Sequence, residues 1–237
     1  YACIKQNSST AFLESKDIEN SIVSGLTLDD FKGCYCCGGI DLSRCVDLTS
    51  ACITVERDGI IYVFTKFWMP GEKIAEMTDR DSIPYNLYKQ KGYLNASGEN
   101  YVDYNDCFNW FRSLVEHYEL MPLKVGYDRW NALQLTDQMK NYGFHMDDVV
   151  QSFNLSGVID EFYGLLKDGK IKIVENDLMK MHMYDCAVKM DSETGRKRLV
   201  KVAGNVHIDG MAALIDSLCV RQKWYAEIGR QLANTGR

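Results

Sequence analysis

Three aspartates stand at positions where the surrounding residues predict the end of a strand or the start of a helix. Asp41 lies in the run Cys36–Ser43, which is typical of a buried strand. Asp128 ends a second predicted strand, and Asp209 opens a late helix. Burying a carboxylate is costly unless it is paired or binds a metal ion, so carboxylates that converge from separate elements suggest a site for a hard cation. With a pair of Mg²⁺ or Mn²⁺ ions, such a site suits phosphodiester cleavage.

Each of these aspartates also has a purely structural alternative. Asp41 can be a turn residue at the end of its strand, and Asp128 and Asp209 can be helix N-caps, a common role of aspartate. The carboxyl ends of strands are, however, where α/β sheets bind ligands. Gly210 permits a close approach of the backbone beside Asp209. From the residues alone, the choice for Asp209 stays open.

Three further residues lie close to these aspartates in the sequence. Asp47 follows Asp41 across a predicted tight turn, where it can face the site and orient water or be an ordinary turn residue. His207 precedes Asp209 and is expected to support the site rather than bind the ion, because Mg²⁺ prefers oxygen ligands. Asp216 lies two helical turns after Asp209 on the same face, and we expect it to be a partly exposed helix residue.

Periodicity and turn signals predict the elements that position these residues. Strands are predicted at 34–43, 49–57 and 60–68, with the last two joined by the hairpin signal Asp58-Gly59. The later elements are helices at 71–91 (broken near Pro84), 103–119, 131–142, 157–168, 177–184 and 209–228, strands at 123–128, 144–150 and 171–174, and a hairpin at 186–202. A three-stranded meander followed by alternating strands and helices predicts an α/β fold, a mixed sheet with helices on both faces.

The composition is that of a soluble globular protein. The chain has 237 residues, of which 46% are hydrophobic and 25% charged, and no apolar stretch reaches membrane-spanning length. Its nine cysteines are odd in number and irregularly spaced, which argues against a secreted disulfide scaffold and favours a reducing compartment. Residues 1–32 are polar and serine-rich, so we expect a linker or tail there and one domain at 33–237.

The charge distribution leaves two interpretations of one basic stretch. A net charge of −6 does not by itself indicate DNA binding, which depends on cationic contacts to phosphates. The densest basic stretch consists of Arg196, Lys197 and Arg198 in the predicted hairpin. These side chains either contact the DNA backbone or belong to a solvated turn.

Three blocks of sequence around the aspartates resemble a known family. The blocks are GGIDLSRCVDLT at 38–49, VGYDRWNALQL at 125–135 and HIDGMAALIDSL at 207–218. In content, order and spacing they resemble the nuclease domain of the large terminase subunit of tailed bacteriophages. A weaker match occurs at 83–104, and the resemblance covers roughly residues 25–222.

The resemblance implies an RNase H-like fold and a metal-dependent endonuclease. By the family pattern, Asp41, Asp128 and Asp209 are the catalytic residues and hold two divalent cations, Mg²⁺ or Mn²⁺. The implied reaction is the cutting of double-stranded, concatemeric viral DNA during genome packaging, by two-metal-ion hydrolysis.

The resemblance also implies partners and a location. The partners are an ATPase domain in the full-length chain, the small terminase subunit and the portal protein, with no membrane involved. The location is the cytoplasm of the infected bacterium, at the procapsid portal. No GxxxxGK[ST] loop occurs in the sequence, so we expect the ATPase domain to lie upstream of residue 1.

Two alternative functions remain. Another RNase H-like nuclease, such as a junction resolvase, would share the carboxylates but would prefer branched DNA. A non-catalytic docking module of the packaging motor would bind DNA or the portal without metal-dependent cutting.

Overall fold

The structure is a computed structural model that describes residues 12–43, 48–128 and 132–234. The strands are β1 (Ile22–Val23), β2 (Tyr35–Asp41), β3 (Thr49–Arg57), β4 (Ile60–Met69), β5 (Leu94–Ala96), β6 (Met121–Tyr127), β7 (Met146–Asp148), β8 (Ile171–Val174), β9 (Cys186–Met190) and β10 (Lys197–Lys201). The α-helices are α1 (Ser15–Ser21), α2 (Ile74–Asp81), α3 (Tyr85–Gln90), α4 (Tyr104–Glu116), α5 (Leu133–Tyr142), α6 (Ser156–Lys167), α7 (Asp177–Tyr184) and α8 (Asp209–Asn234). These elements follow the predicted order closely.

The central sheet is mixed. Its 8 strands run in the order β1-β8-β4-β3-β2-β6-β7, with β5 paired to β4, while β9 and β10 form a separate hairpin. The meander β2–β3–β4 is antiparallel, and β6, β7 and β8 join it in parallel. Asp58 and Gly59 connect β3 to β4 with positive φ angles of 55° and 75°, as an Asp-Gly hairpin turn requires.

Helices cover both faces of this sheet. One hydrophobic cluster joins the sheet to α1, α2, α6, α7 and α8, and a second joins the opposite face to α4 and α5. The prediction of an α/β mixed sheet with helices on both faces is therefore confirmed. Among the helices that the structure describes, none combines the length and apolar composition that crossing a lipid bilayer requires.

The segment before residue 33 differs from the linker that its composition predicts. Over its described part, from residue 12, it forms α1 and then β1, which pairs in parallel with β8. Ile18 and Phe31 are fully buried, and Phe31 lies beneath the guanidinium of Arg57, 4.3 Å from the ring centroid. The linker prediction is wrong for these residues, because single buried apolar side chains, such as Ile18 in α1 and Phe31 further along, anchor an otherwise polar segment.

Helix α8 lies unusually close to the strands that carry the aspartates. A Cβ atom at Gly39 of β2 would lie only 2.5 Å from the backbone nitrogen of Ser217, and one at Gly126 of β6 would lie 2.7 Å from the carbonyl oxygen of Asp216. The side chain of Ser217 donates a 2.9 Å hydrogen bond to the carbonyl of Cys37 in β2. The two glycines therefore let the helix backbone rest on the sheet backbone.

Candidate active site

The parallel strands β2 and β6 bring two of the predicted aspartates together. Ile40 pairs with Tyr127, so Asp41, the last residue of β2, lies beside Asp128, which follows β6 directly. Both side chains are partly exposed. The sheet register thus places two carboxylates next to each other at the carboxyl edge of the sheet, where such folds bind ligands.

The amino-terminal end of α8 lies over the same edge. Ser50, the partner of Asp41 on β3, donates a 2.7 Å hydrogen bond from Oγ to the carbonyl oxygen of Asp209. This bond joins the first residue of α8 to the strand next to Asp41. The third predicted aspartate is therefore held near the other two by the seating of the helix on the sheet.

A cavity of about 260 Å³ opens at this edge. Three carboxylates line it, from Asp41, Asp209 and Asp216, and two cationic side chains, from Arg198 and Lys201, lie across from them on β10. The remaining lining residues are Gln151, Ser152, Leu155, Leu199, Ile208, Ala212 and Ile215. The cavity lining thus combines acidic groups from β2 and α8 with basic groups from β10.

Asp216 belongs to the acidic cluster, although the sequence predicted a partly exposed residue. Its side chain is fully buried, and Gln151 Nε2 donates a 3.0 Å hydrogen bond to Oδ2. Burial raises the pKa of Asp216 well above the usual range, and the carboxylates of Asp41 and Asp128 raise it further. The prediction of exposure is wrong because α8 is covered on all sides over its first three turns, where every residue from 209 to 220 is buried.

Asp209 has different surroundings from Asp216. His207 Nδ1 lies 3.6 Å from Asp209 Oδ2, and His207 Nε2 lies 3.0 Å from Asp81 Oδ2. Burial alone would raise the pKa of Asp209, but the imidazoles of His207 and His182 together outweigh burial and lower it. Burial likewise favours neutral His207, but the carboxylates of Asp209 and Asp81 raise its pKa. His207 therefore lies between the carboxylates of Asp209 and Asp81, and its contact with Asp209 helps to hold that side chain in place.

Further buried polar contacts hold Asp81 and the first turn of α8 in place. Asp81 also accepts a hydrogen bond from the Tyr85 hydroxyl, at 3.2 Å, and a 2.6 Å bond from Arg80 Nε. The backbone amide of Gly210 donates to His182 Nδ1 at 2.9 Å. Burial lowers the pKa of His182 to about 4, so this ring is neutral near pH 7 and can accept that bond.

The structure separates the three basic residues of the hairpin. Arg196 is exposed beside the turn. Lys197 forms a 2.5 Å ion pair with Asp160 of α6, away from the acidic cluster. Arg198 lines the cavity, and its guanidinium lies 5.3 Å from the ring centroid of Phe153. Of the three, Arg198 has the position best suited to contact a phosphate near the carboxylates.

The remaining predicted residues are Asp47 and Asp128. Asp47 lies outside the described residues, so its role stays a prediction. Asp128 does not line the cavity itself but is close enough to influence Asp216. Asp216, Gln151 and Lys201 were not predicted to belong to the site. A polar residue within an otherwise apolar helical stretch was the one available signal for Asp216.

The carboxylates can accommodate a divalent cation. Within the part of the chain that the structure describes, no group of three or more His, Cys, Asp or Glu side chains is already arranged as a complete ligand set. One buried carboxyl oxygen, Asp216 Oδ1, nevertheless accepts no hydrogen bond from any described group, and Asp209 Oδ2 has His207 Nδ1 near it, at 3.6 Å. Buried carboxyl oxygens normally have such a partner, and oxygen-rich sites suit Mg²⁺ and Mn²⁺. The chemistry of the donor set thus fits a hard cation.

The mixed sheet, its covering helices and the carboxylates at adjacent strand ends define an RNase H-like protein. The chain belongs to the family of terminase large subunit endonuclease domains, whose model matches residues 3–223. The resemblance of the three sequence blocks to this family is thereby confirmed. Among curated proteins, none is significantly similar to this chain.

Solved structures agree with this assignment. The large terminase of bacteriophage HK97 is 25% identical, with a TM-score of 0.77 over 90% of this chain, which spans 44% of the length of that protein. The large terminase nuclease of thermophilic phage G20c with bound magnesium is 12% identical, with a TM-score of 0.57 over 90% of this chain and 98% of that one. The Thermus phage P74-26 nuclease domain is 14% identical, with a TM-score of 0.53 over 85% and 91%. The last two likenesses concern the fold alone.

Proposed function

We propose that this chain is a divalent-cation-dependent endonuclease that cuts double-stranded viral DNA during genome packaging. The observation that carries the proposal is the cavity at the carboxyl edge of the sheet, which Asp41, Asp209 and Asp216 line and where Asp216 Oδ1 lacks a hydrogen-bond donor among the described residues. Membership of the terminase endonuclease family supplies the reaction class. The presence of magnesium in the G20c nuclease and of cobalt in another structure of that nuclease supports a divalent cation.

The residues that hold the cations in this proposal are Asp41, Asp128 and Asp209. Two bound ions, Mg²⁺ or Mn²⁺, would supply Lewis-acid chemistry, activating the attacking water and stabilising the leaving 3′ oxygen. The two strands fix Asp41 and Asp128, and His207 with Ser50 fixes Asp209. Such support matters because a carboxylate must be held in place before it can bind an ion productively.

The cationic residues of the cavity have a separate task. Arg198 and Lys201 lie across from the carboxylates. They are placed to hold a DNA phosphate against the acidic side, which would otherwise repel it. Contacts of this kind go to the DNA backbone, so we expect cutting with little dependence on base sequence.

The proposal extends to the assembly in which the domain works. Because the chain spans less than half of the HK97 large terminase, we infer that it acts together with an ATPase domain. The small terminase subunit and the portal protein are the further proposed partners. The place of action is then the procapsid portal, in the cytoplasm of the infected bacterium.

A plasmid-nicking assay tests the proposal. Supercoiled plasmid should be nicked and linearised with Mn²⁺ or Mg²⁺ and left intact with EDTA. Asp41→Asn and Asp209→Asn should each abolish cutting while the circular dichroism spectrum stays unchanged. Asp137→Asn, which neutralises an exposed aspartate of α5, is the matched control and should cut like wild type. DNA binding without metal-dependent cutting would instead support the docking module.

A further inference from the structure

Asp216 is a buried carboxylate with one oxygen engaged and one oxygen without a partner. Its side chain is 0% exposed, in the stretch of α8 that is buried on all sides. Gln151 donates to Oδ2 at 3.0 Å, whereas Oδ1 accepts no hydrogen bond from any group that the structure describes. A buried carboxyl oxygen without a hydrogen-bond partner is uncommon and costly, so such a group calls for an explanation, and a bound cation supplies one.

The Asp216 carboxylate lies near Asp41 and Asp128, the aspartates at the ends of β2 and β6. It lines the same cavity as Asp41. The Asp216 carbonyl oxygen would lie 2.7 Å from a Cβ atom on Gly126. Gly126 stands two residues before Asp128, so the helix turn that carries Asp216 rests on the strand that ends at that carboxylate. Asp41 and Asp128 are also the two carboxylates that act electrostatically on Asp216.

A purely structural role does not account for this geometry. A structural aspartate in a helix interior is expected to have both oxygens satisfied, or to be replaced by an apolar residue at less cost. The nearby Lys223 donates instead to the Asp148 carbonyl, at 3.3 Å. Gln151 holds one oxygen of Asp216 and so orients the other.

We infer that Asp216 supplies a carboxylate oxygen to the divalent-cation site, together with Asp41 and Asp128. This assignment rests on the proposed function and adds a ligand to the three aspartates that the sequence blocks indicate. Asp216 would supply its oxygen from α8, and Asp41 and Asp128 would supply theirs from the two strand ends. Gln151 is then a positioning residue, because it selects which oxygen faces the ion.

Mn²⁺ binding measured by calorimetry tests the inference on the full 237-residue chain. Asp216→Asn keeps the shape and an oxygen for the Gln151 hydrogen bond, but it replaces Oδ1 by an amide nitrogen that cannot bind a cation. We expect it to weaken Mn²⁺ affinity by about tenfold or more and to reduce the rise in melting temperature that Mn²⁺ gives wild type. Asp137→Asn, an exposed change of the same charge, should bind Mn²⁺ like wild type. An affinity of Asp216→Asn equal to that of wild type would overturn the inference.

The same measurements separate this inference from the proposed function. If wild type neither binds Mn²⁺ nor cuts plasmid, both ideas fail. If Asp41→Asn loses Mn²⁺ while Asp216→Asn retains it, the proposed function stands and the role of Asp216 is excluded. Should Asp216→Asn not fold, wild-type crystals with Mn²⁺ decide: an anomalous peak within coordination distance of Asp216 Oδ1 supports the inference, and a peak beyond it excludes Asp216.

Discussion

At the scale of single residues, the site depends on how each carboxylate is held. Asp209 and Asp216 lie on the same face of one helix, yet their surroundings differ. A histidine supports Asp209, and an amide supports Asp216. The histidine is itself held by Asp81, whose side chain also engages Tyr85 and Arg80. The chain therefore holds the carboxylates of the candidate site through buried polar contacts as well as apolar packing.

Asp81 gives a prediction at this scale. Asp81→Asn removes the charge that strengthens hydrogen bonds with three side chains, those of Arg80, Tyr85 and His207, and only 8% of the residue is exposed. We expect a loss of about 2 kcal/mol or more in the free energy of unfolding. Urea denaturation measures this change. Asp79→Asn is the control, because Asp79 is an exposed aspartate on the same helix; equal stabilities of the two variants would show that the Asp81 contacts contribute nothing.

At the scale of elements, the seating of α8 on β2 and β6 decides where the carboxylates meet. Gly39→Ala would drive a methyl group into the backbone of α8 near Ser217, which cannot move aside like a flexible side chain. We expect this variant to lose about 3 kcal/mol or more. Calorimetric unfolding measures the change.

The control for Gly39→Ala is Gly164→Ala. Gly164 lies in α6 with no atom within 4 Å of the added methyl group. Alanine there should raise stability by about 0.5–1 kcal/mol, since it is the better helix former. A tolerated Gly39→Ala would mean that α8 sits further from the sheet than the structure shows.

The hairpin β9–β10 gives a second prediction at this scale. Replacing Arg196, Lys197 and Arg198 together with Ala should weaken DNA affinity and make the slope of log K against log salt shallower, by about one unit for each lost phosphate contact. Fluorescence anisotropy over a salt series measures both quantities.

Single variants separate the three positions. Arg198→Gln should account for most of the loss, since Arg198 lines the cavity. Lys197→Gln should change affinity least, because Lys197 is paired with Asp160. Wild-type affinity and salt slope in the triple variant would identify the hairpin as a solvated surface turn.

At the scale of the whole molecule, the amino-terminal segment is part of the fold. Ile18 is fully buried within the core cluster, and β1 extends the sheet beside β8. Ile18→Ala should therefore cost about 2–5 kcal/mol, the range for truncating a buried aliphatic side chain. Lys16→Ala, on the exposed side of the same helix, should change stability by less than about 0.5 kcal/mol. Thermal unfolding of the two variants compares them directly; an Ile18→Ala variant as stable as wild type would restore the linker interpretation.

The sequence by itself determined most of the secondary structure. Strands β2 to β4 and the helices α4 to α8 follow from periodicity, turn residues and caps, which are local signals. Asp41 and Asp128 could also be predicted from the sequence, because a carboxylate at the end of an apolar strand is unusual. The choice between a cap and a ligand for Asp209 came from the family blocks rather than from local chemistry.

Only the tertiary structure decided which polar residues share the site. The burial of Asp216 depends on how α8 lies between the sheet and α6, and this arrangement leaves no local trace in the sequence. The contact of Gln151 with Asp216 joins residues 65 positions apart, and that of His207 with Asp81 spans 126 positions. The burial of Ile18 and the strand β1 were not predicted for the same reason, since an edge strand of two residues is defined by its pairing with β8. Periodicity reports which face of an element is apolar, but the partners of a buried polar group are set by contacts distant in sequence.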